Sequence, residues 1–429
     1  MVTTIRVGRK RALAAMLAVS LLAAACGNGD DDDGEATAGP VSFLHVVSGD
    51  QEQAALQAAI DAFEEATGNT VEPEFSDDFN TVIATRIAGG NAPDVALYPQ
   101  PGLLEEMVAR DGVESLEGLD LDEGGLVPGM IETGTFDGTP YGVVVNLAIK
   151  SLVWYPKGPF DEAGYSVPET WDDLLALTEE ISGSGTPAWC IGIESGGDTG
   201  WPATDWIEDI MLRMHGPDVY DQWTTNEVPF DSEEVRAAFE AAEEIWFNES
   251  YVLGGATGIV NTSFLASPEP MLQDPPGCFL HKQAGFIEGE FEGEIGTDYD
   301  VFALPPMDDS IGNGANFAGN LAALHSDNPA AAEFIEFLVS SEGQQAWHSH
   351  EGSGNLSIRS DFDTANYPSE SLAAQGEALA QADFARFDGS DMMPGEVGAG
   401  AFWTETVRWL GGAQDLDTTL TNIDAAWPS

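Results

Sequence analysis

The stretch from Val41 to Gln100 alternates between two hydrophobic periods, and that alternation constrains the fold most. "VSFLHVVSGD" (41–50) has the short apolar run of a strand and ends in a Ser-Gly-Asp turn. In "QEQAALQAAIDAFEEATGN", Leu56, Ile60 and Phe63 share one helical face, and Gly68 is a natural stop. "TVEPEF" reads as a second strand. "FNTVIATRIAGGNAP" is a short helix and a loop, and Asp94 to Tyr98 is a third strand. Strands alternating with helices predict an α/β fold built on a parallel sheet.

The rest of the chain continues in the same mixed style. Tyr141–Gly158 is a long extended segment suited to crossing between lobes. "PETWDDLLALTEEISGSG" predicts a helix capped by Thr170, with Leu174, Leu177 and Ile181 on one face. "WCIGIESGG", "CFLHKQAGFIEG" and "NFAGNLAALHS" are each expected as strands, and "DVFALPPM" as extended chain. "DSEEVRAAFEAAEEIWF" predicts a helix with Val235, Phe239, Ala242 and Trp246 inward. "NPAAAEFIEFLVSSEG" predicts another, with Asn328 as cap and Pro329 at its first position. The tail, 367–429, reads as mostly helical, and there is no internal repeat.

The first 39 residues stand apart. Arg6, Arg9, Lys10 and Arg11 form a basic head, and Ala12 to Ala25 is apolar apart from Ser20. This is the pattern of an export signal, and the run is too short to span a bilayer comfortably. "AAAC" ends it and resembles a bacterial lipobox, which makes Cys26 the expected lipidation site. Where such boxes usually carry Leu, this chain has Ala23. An ordinary signal cut near an incidental cysteine is the alternative. Residues 26–39 are Gly- and Asp-rich, the composition of a solvated tether. The expectation is an exported body, moored by lipid to the outer face of the cytoplasmic membrane.

The roughly 390 residues beyond the tether suggest two or three domains. With 74 acidic against 14 basic residues, the net charge is −60 at pH 7. Such a surface repels nucleic acid and anionic headgroups. It also disfavours an anionic ligand, since no arginines gather in the sequence. The acids are spread along the chain, which fits solubility in a salty medium better than a dedicated cation site. Of three cysteines, Cys190 and Cys278 remain after Cys26, and two cysteines in an exported protein are expected to pair. Two buried thiols are the alternative.

Taken in order, these parts resemble the extracellular solute-binding proteins of ABC importers, in the branch that includes maltose-binding proteins. The stretches that carry the resemblance are the lipobox, strand-"SGD"-helix, "GGNAPDVALY", "YGVVVNLAIKSLVWY", "PETWDDLL", "NPAAAEFIEFLVSSEGQQAW" and "MPGEVGAGAFW". "TGWPATDWIEDIMLR", "PPGCFLHKQAGFI" and the closing "IDAAWP" are similar to the alpha-glucoside-binding group. The resemblance implies two α/β lobes joined by crossover hinge strands, with a ligand cleft between them. The first lobe would take 40–145 and 305–350, and the second 146–304 and 351–429. It further implies hinge closure on a small neutral sugar and delivery to permease subunits in the membrane, by a monomer with no cofactor and no metal.

A sugar's hydroxyl rim wants paired donors and acceptors, while its C–H faces want flat aromatic platforms. Loops at the carboxyl ends of parallel strands should supply them. Asp50 and Gln51 follow the first strand; Asp50 is equally suited to capping its helix. Asp77 and Asp78 read as a cap or a rim pair, with Asp78 the candidate contact. Gln100 is a contact or a plain Pro-flanked turn. Trp201, at a helix mouth, is a candidate platform, whereas Trp206 belongs to the core and Asp205 falls between. The resemblance adds Gln283, and Asn320 where relatives often carry Asp. It also adds the loop Glu396, Val397 and Gly398 with Trp403 stacking on the sugar; a core aromatic pair is the alternative for Phe402-Trp403. Three rivals follow from the same residues: a secreted glycoside hydrolase, which needs two carboxylates set across a glycosidic bond, a receptor for a cation such as a polyamine, and an adhesive lipoprotein. His348-x-His350-Glu351 is the only close histidine cluster in the sequence and is no HExxH, and "GNGANFAGN" lacks the Lys-Ser/Thr of a P-loop.

Overall fold

The computed structural model describes residues 39–428 other than 128 and 309. The signal segment, Cys26 and the tether up to residue 38 lie outside the described residues. The alternation at the start builds the order it predicts. β1 (Val41–His45), β2 (Val71–Phe75) and β3 (Val95–Tyr98) are interleaved with α1 (Asp50–Thr67) and α2 (Phe79–Gly89), and α3 (Pro101–Val108) follows. β1 pairs in parallel with both β2 and β3. A short hairpin, β4 (Thr135–Phe136) and β5 (Thr139–Pro140), precedes β6 (Gly142–Val144). Far along the chain β12 (Leu321–Leu324) inserts antiparallel between β3 and β6, giving the order β2-β1-β3-β12-β6. Burial explains the placement. All four residues of central β3 are buried, while edge strand β2 buries only Val71. Ala55, Leu56, Ala59, Ile60 and Phe63 form the buried stripe of α1, which ends at the left-handed Gly68. Phe63 meets Phe334 at 5.0 Å from α10 (Pro329–Val339), which begins with Asn328 and Pro329 as expected.

A second core is built mostly from helices and tryptophans. β7 (Ala148–Ile149) and β8 (Leu152–Tyr155) lead into α4 (Lys157–Ala163) and α5 (Trp171–Gly183), which Thr170 caps by accepting from Asp173 N. Then come α6 (Trp201–His215), α7 (Pro217–Thr224), α8 (Glu233–Trp246), α9 (Gly255–Asn261), β9 (His281–Lys282), β10 (Asp300–Ala303) and β11 (Gly314–Ala318). Twelve residues of α6 are buried, and Trp206 packs edge-on against Trp189 at 4.9 Å and Trp246 at 6.0 Å. Such a helix, buried on nearly every side, runs through the middle of a core and takes four charged residues, Asp205, Glu208, Asp209 and Arg213, in with it. After α10 follow α11 (Ser341–His348), α12 (Glu370–Gln381), β13 (Phe384–Phe387), α13 (Gly389–Met392), α14 (Trp403–Leu410) and α15 (Leu416–Asp424). Cys190 and Cys278 are disulfide-bonded, with Cα atoms 5.7 Å apart. Among the described residues no helix is long and apolar enough to cross a membrane.

Three expected strands come out differently. "WCIGIESGG" makes only isolated bridges, Trp189 to Val252 and Leu280, and Glu194 to Ser263. At Gly192 the backbone runs so near Thr262 O and Ser263 O that no side chain would fit. "CFLHKQAGFIEG" is strand only at His281–Lys282. The Gln283 carbonyl accepts from the Trp154 indole at 3.0 Å, and a tight turn begins at Gly285. "NFAGNLAALHS" splits in two. Gly319 passes so close to Asn146 O that a Cβ would collide, and there the chain leaves one sheet for another.

That change of sheet locates the connections. β11 pairs with β7 and β13 in a sheet of its own, whereas β12 belongs to the five-stranded sheet. The chain therefore passes between the two sheets at 145–147 and again at 319–320. The two passages touch: Val145 N donates to Asn320 O at 2.9 Å, and Asn146 Oδ1 accepts from Asn320 N at 2.8 Å. A third segment joins them, since Leu147 N donates to Leu356 O.

Candidate functional site

Because β1, β2 and β3 are parallel, their carboxyl ends lie on one edge of the sheet. The loops there carry Asp50-Gln51, Asp77-Asp78 and Gln100. Asp50 is exposed on the first turn of α1, while the cap position is Gly49 and no side chain caps the helix. Asp78 stands at the cap position of α2, also without a side-chain cap bond. The capping readings of both aspartates thus lack their hydrogen bonds. Gln51 is exposed, and its carbonyl borders Gly352. Gln100 begins α3, and its buried Oε1 has no partner.

Residues packed on the second core face this edge. Burial raises the Asp198 carboxyl, and Asp78 and Asp77 raise it further, so the three acids lie within electrostatic reach of one another. Gln100 reaches Asp391 and draws its carboxyl down against a larger upward push from burial and Asp388. Gly102 lies so close to Met393 O that a Cβ could not be placed. A 280 Å³ pocket opens here, lined by Asn80, Thr81, Gln100, Arg110, Ser390 and Met393 among others. Nearby, the backbone N–H of Gly354 donates to Glu52, whose second oxygen is buried and unpartnered. Burial pushes the Glu52 carboxyl up to about 7.

The aromatic side is built on Trp201. Its indole N–H donates to Ser195 Oγ at 3.1 Å, Phe264 meets it edge-on at 4.9 Å, and Phe286 lies at 6.1 Å. The Lys150 ammonium stands 5.3 Å from the ring centre. Trp403 is adjacent, because Gly200 packs on its backbone and Cβ too closely for any other residue. Trp403 is 5% exposed and donates to Ser390 Oγ at 3.2 Å, whereas Phe402 lies in the core against Trp223 and Phe230. The loop before it winds as a π-helix, Glu396–Phe402. Glu396 is exposed, Val397 is wholly buried, and Gly398 packs on Ser390 O where a Cβ has no room.

The remaining candidates sit deeper. Asp205 is buried, and its Oδ1 accepts from Lys150 Nζ at 2.8 Å. Gln283 is buried and bonds its neighbour's backbone, Ala284 N. Asn320 holds Asn146 at the passage between sheets. Sequence reasoning missed Asn146, Lys150, Glu52, Phe264, Phe286 and Asp391. Phe286, Lys150, Asn146 and Glu52 lay in stretches already singled out, but nothing in those stretches marked them as site residues. The others have no local signal, because distant segments give them their surroundings.

Three chain segments meeting between two sheets, with polar loops on one side and aromatics on the other, describe a cleft suited to holding a solute. The sequence model of bacterial extracellular solute-binding proteins matches residues 48–345. The chain belongs to that family. It is 38% identical over 411 residues to the osmoprotective compounds-binding protein GgtB of Synechocystis, covering 94% of each chain. It is 39% identical over 398 residues to the alpha-glucosides-binding periplasmic protein AglE of Rhizobium meliloti, covering 88% of this chain and 85% of that one. Among solved structures, the bacterial solute receptor AcbH matches 90% of this solute-binding protein and 97% of its own chain, with TM-score 0.77 and 16% identity. Maltose-bound MalE3 of T. maritima matches with TM-score 0.71, 17% identity, and 90% and 98% coverage. These structural likenesses show the fold, two-lobed and mixed α/β.

Proposed function

We propose that this solute-binding protein is the receptor of an ABC carbohydrate importer, taking an alpha-glucoside or related small oligosaccharide and presenting it to a permease. The observation that carries this reading is the pairing of two unlike walls. One offers uncommitted oxygens and amides at the ends of β1–β3; the other offers the aromatic group of Trp201, Phe264 and Phe286. A sugar needs both. The cations Lys150, Lys282 and Arg213 in the second core are all paired with carboxylates, which leaves none of them for an anionic ligand. AglE, by its name, binds alpha-glucosides, and GgtB osmoprotective compounds. Asp50, Gln51, Asp78, Gln100, Trp201, Glu396 and Trp403 are our candidate contacts. Asp205, Gln283, Val397, Gly398 and Asn320 support them from behind. The lobes meet at 145–147, 319–320 and near Leu356, which we take as the hinge. The chain acts as a monomer, moored through Cys26, and performs no chemistry of its own.

One observation favours a second reading. Asp77, Asp78 and Asp198 lie within electrostatic reach of one another, as a cationic solute would require. Tryptophan fluorescence of residues 38–429 decides between them, titrated with maltose, trehalose, sucrose, maltotriose and spermidine at low and high salt. A saturable response to one sugar that salt does not change, and that Gln100→Ala and Trp201→Ala weaken, supports the sugar receptor. A salt-sensitive response to spermidine alone replaces it with the cation receptor.

A further inference from the structure

Behind Trp403 lies a buried set of charges that ligand contact alone does not explain. Asp205, Glu208, Asp209, Asp388 and Asp391 gather around Lys150, Lys282 and Arg213, all of them nearly or wholly buried. Asp209 is paired with Lys282 at 2.7 Å and Arg213 at 2.5 Å. Lys150 alone is left for the other four carboxylates. It binds Asp205 and Asp388. Oxygens of Asp205, Glu208 and Asp388 all lie within 4.8 Å of one another. Three buried carboxylate oxygens that close, with one ammonium among them, cannot all stay ionised, and a proton is the smallest remedy.

The two closest acids are supplied unequally: Asp388 has the Lys150 ammonium and two further donors, whereas Glu208 has two backbone N–H groups and no cation. Both Glu208 oxygens accept from backbone, Oε2 from Gly389 N at 2.9 Å and Oε1 from Ser390 N at 3.3 Å. Asp388 Oδ1 accepts from Ser390 Oγ at 2.8 Å and from Asp391 N at 3.0 Å. Ser390 Oγ in turn accepts from the Trp403 indole at 3.2 Å. The turn that holds Trp403 and Asp391 toward the cleft is thus gripped by Glu208 from one side and Asp388 from the other. We propose that Glu208 is present as a carboxylic acid sharing its proton with Asp388, and that in this form it is a positioning residue for the sugar, acting through Trp403 and Asp391. The proposal rests on the sugar-receptor reading for its ligand, but not for its proton.

The charged and titratable groups around Glu208 come from every side. Lys150 follows β7, Asp388 caps α13 and Asp391 lies within it, Tyr220 comes from α7, and Asp205 and Asp209 share its own helix. Tyr220 is neutral, its hydroxyl donating to Phe387 O and accepting from Asn316. Burial, then Asp388 and Asp205, hold the Glu208 carboxyl well above its ordinary range, against the pull of Lys150. Burial works against ionising Asp388, but Lys150 and the Glu208 hydrogen bond draw it down to about 2.

Glutamine keeps the size of Glu208 without its charge: it offers a donor toward Asp388 and retains one acceptor for the turn, giving up one of the two backbone hydrogen bonds. The test compares wild type, Glu208→Gln and Glu208→Ala. Infrared difference spectra of wild type against Glu208→Gln at pH 7 should show a protonated carboxyl C=O band lost in the variant. Titrations with maltose, trehalose and sucrose should show Glu208→Ala weakened about tenfold or more and Glu208→Gln rescued to within about threefold of wild type, since only the former breaks two buried hydrogen bonds. No band lost between wild type and Glu208→Gln, or a calcium affinity that Glu208→Gln abolishes, overturns the proposal. So does a Glu208→Gln protein that folds yet loses sugar as Glu208→Ala does. If no sugar binds wild type, the receptor reading fails while the infrared band still decides the proton.

Discussion

The two walls of the cleft are built on opposite principles. On the β1–β3 side, Asp50, Asp77, Asp78 and Gln100 sit at loop ends and helix starts without side-chain cap bonds, and of Gln100 only the amide is engaged, by Asp391, while its Oε1 has no partner. On the other side, Lys150, Asp205, Glu208, Asp388 and Ser390 are buried and bonded to each other before any ligand arrives. The first wall can adapt, and the second is preorganised. A substitution on the first should change affinity and cost little stability. On the second, both should fall together, because one network holds the fold and aims Trp403.

The most damaging way to test that contrast is Lys150→Met. It strands Asp205 and Asp388 as buried carboxylates without their cation, and breaking such a pair costs about 3–5 kcal/mol. Urea unfolding should show a loss of that size, together with weaker sugar binding. An unchanged midpoint would mean the network is not preorganised. Next comes Cys190→Ser with Cys278→Ser. The bridge closes a separation of 88 residues, and its removal should lower stability by about 2–5 kcal/mol. It ties the Trp189 segment to the chain before β9, so affinity should fall as well if that wall depends on its scaffold.

Gln100→Ala probes the other wall. Its Oε1 is buried without a partner and its one contact is to Asp391, so truncation should cost only that bond, about 0.5–1 kcal/mol, well short of Lys150→Met. Affinity should fall by about 1–3 kcal/mol, roughly tenfold to a hundredfold. A large stability loss with unchanged affinity would reverse the contrast.

How much of this was readable beforehand follows the same division. The first wall was legible because each of its residues follows a strand whose period and stop signals are local, as with Leu56, Ile60, Phe63 and Gly68. The helix caps Thr170 and Asn328 were legible for the same reason. Glu208 carries no such mark: on a helix buried on nearly every side, its acid is told from surface acids only by Asp388, 180 positions away in the chain, as the Ser390 contact shows. Short strands such as His281–Lys282 failed because apolar runs near tight glycines do not announce whether a ladder forms. Asn146 and Asn320 meet only where the chain changes sheet, a fact of topology with no local pattern.

The smallest effect belongs to Asp198→Asn, and it bears most directly on the ligand. Burial raises this carboxyl, and Asp78 and Asp77 raise it further. An acid raised on folding contributes stability below its unfolded pKa that is lost as pH rises through its folded value. At pH 7 the charge therefore opposes the folded arrangement, and asparagine should relieve it. We expect a slight stabilisation, well under 1 kcal/mol because Asp198 is exposed, with a flatter decline as pH is raised. For a neutral sugar, affinity should hold or rise a little, since the amide still offers a donor and an acceptor. For spermidine it should drop, since one of three neighbouring charges is gone. Measured side by side, the sign of the affinity change says whether the open wall is shaped for hydroxyls or for charge.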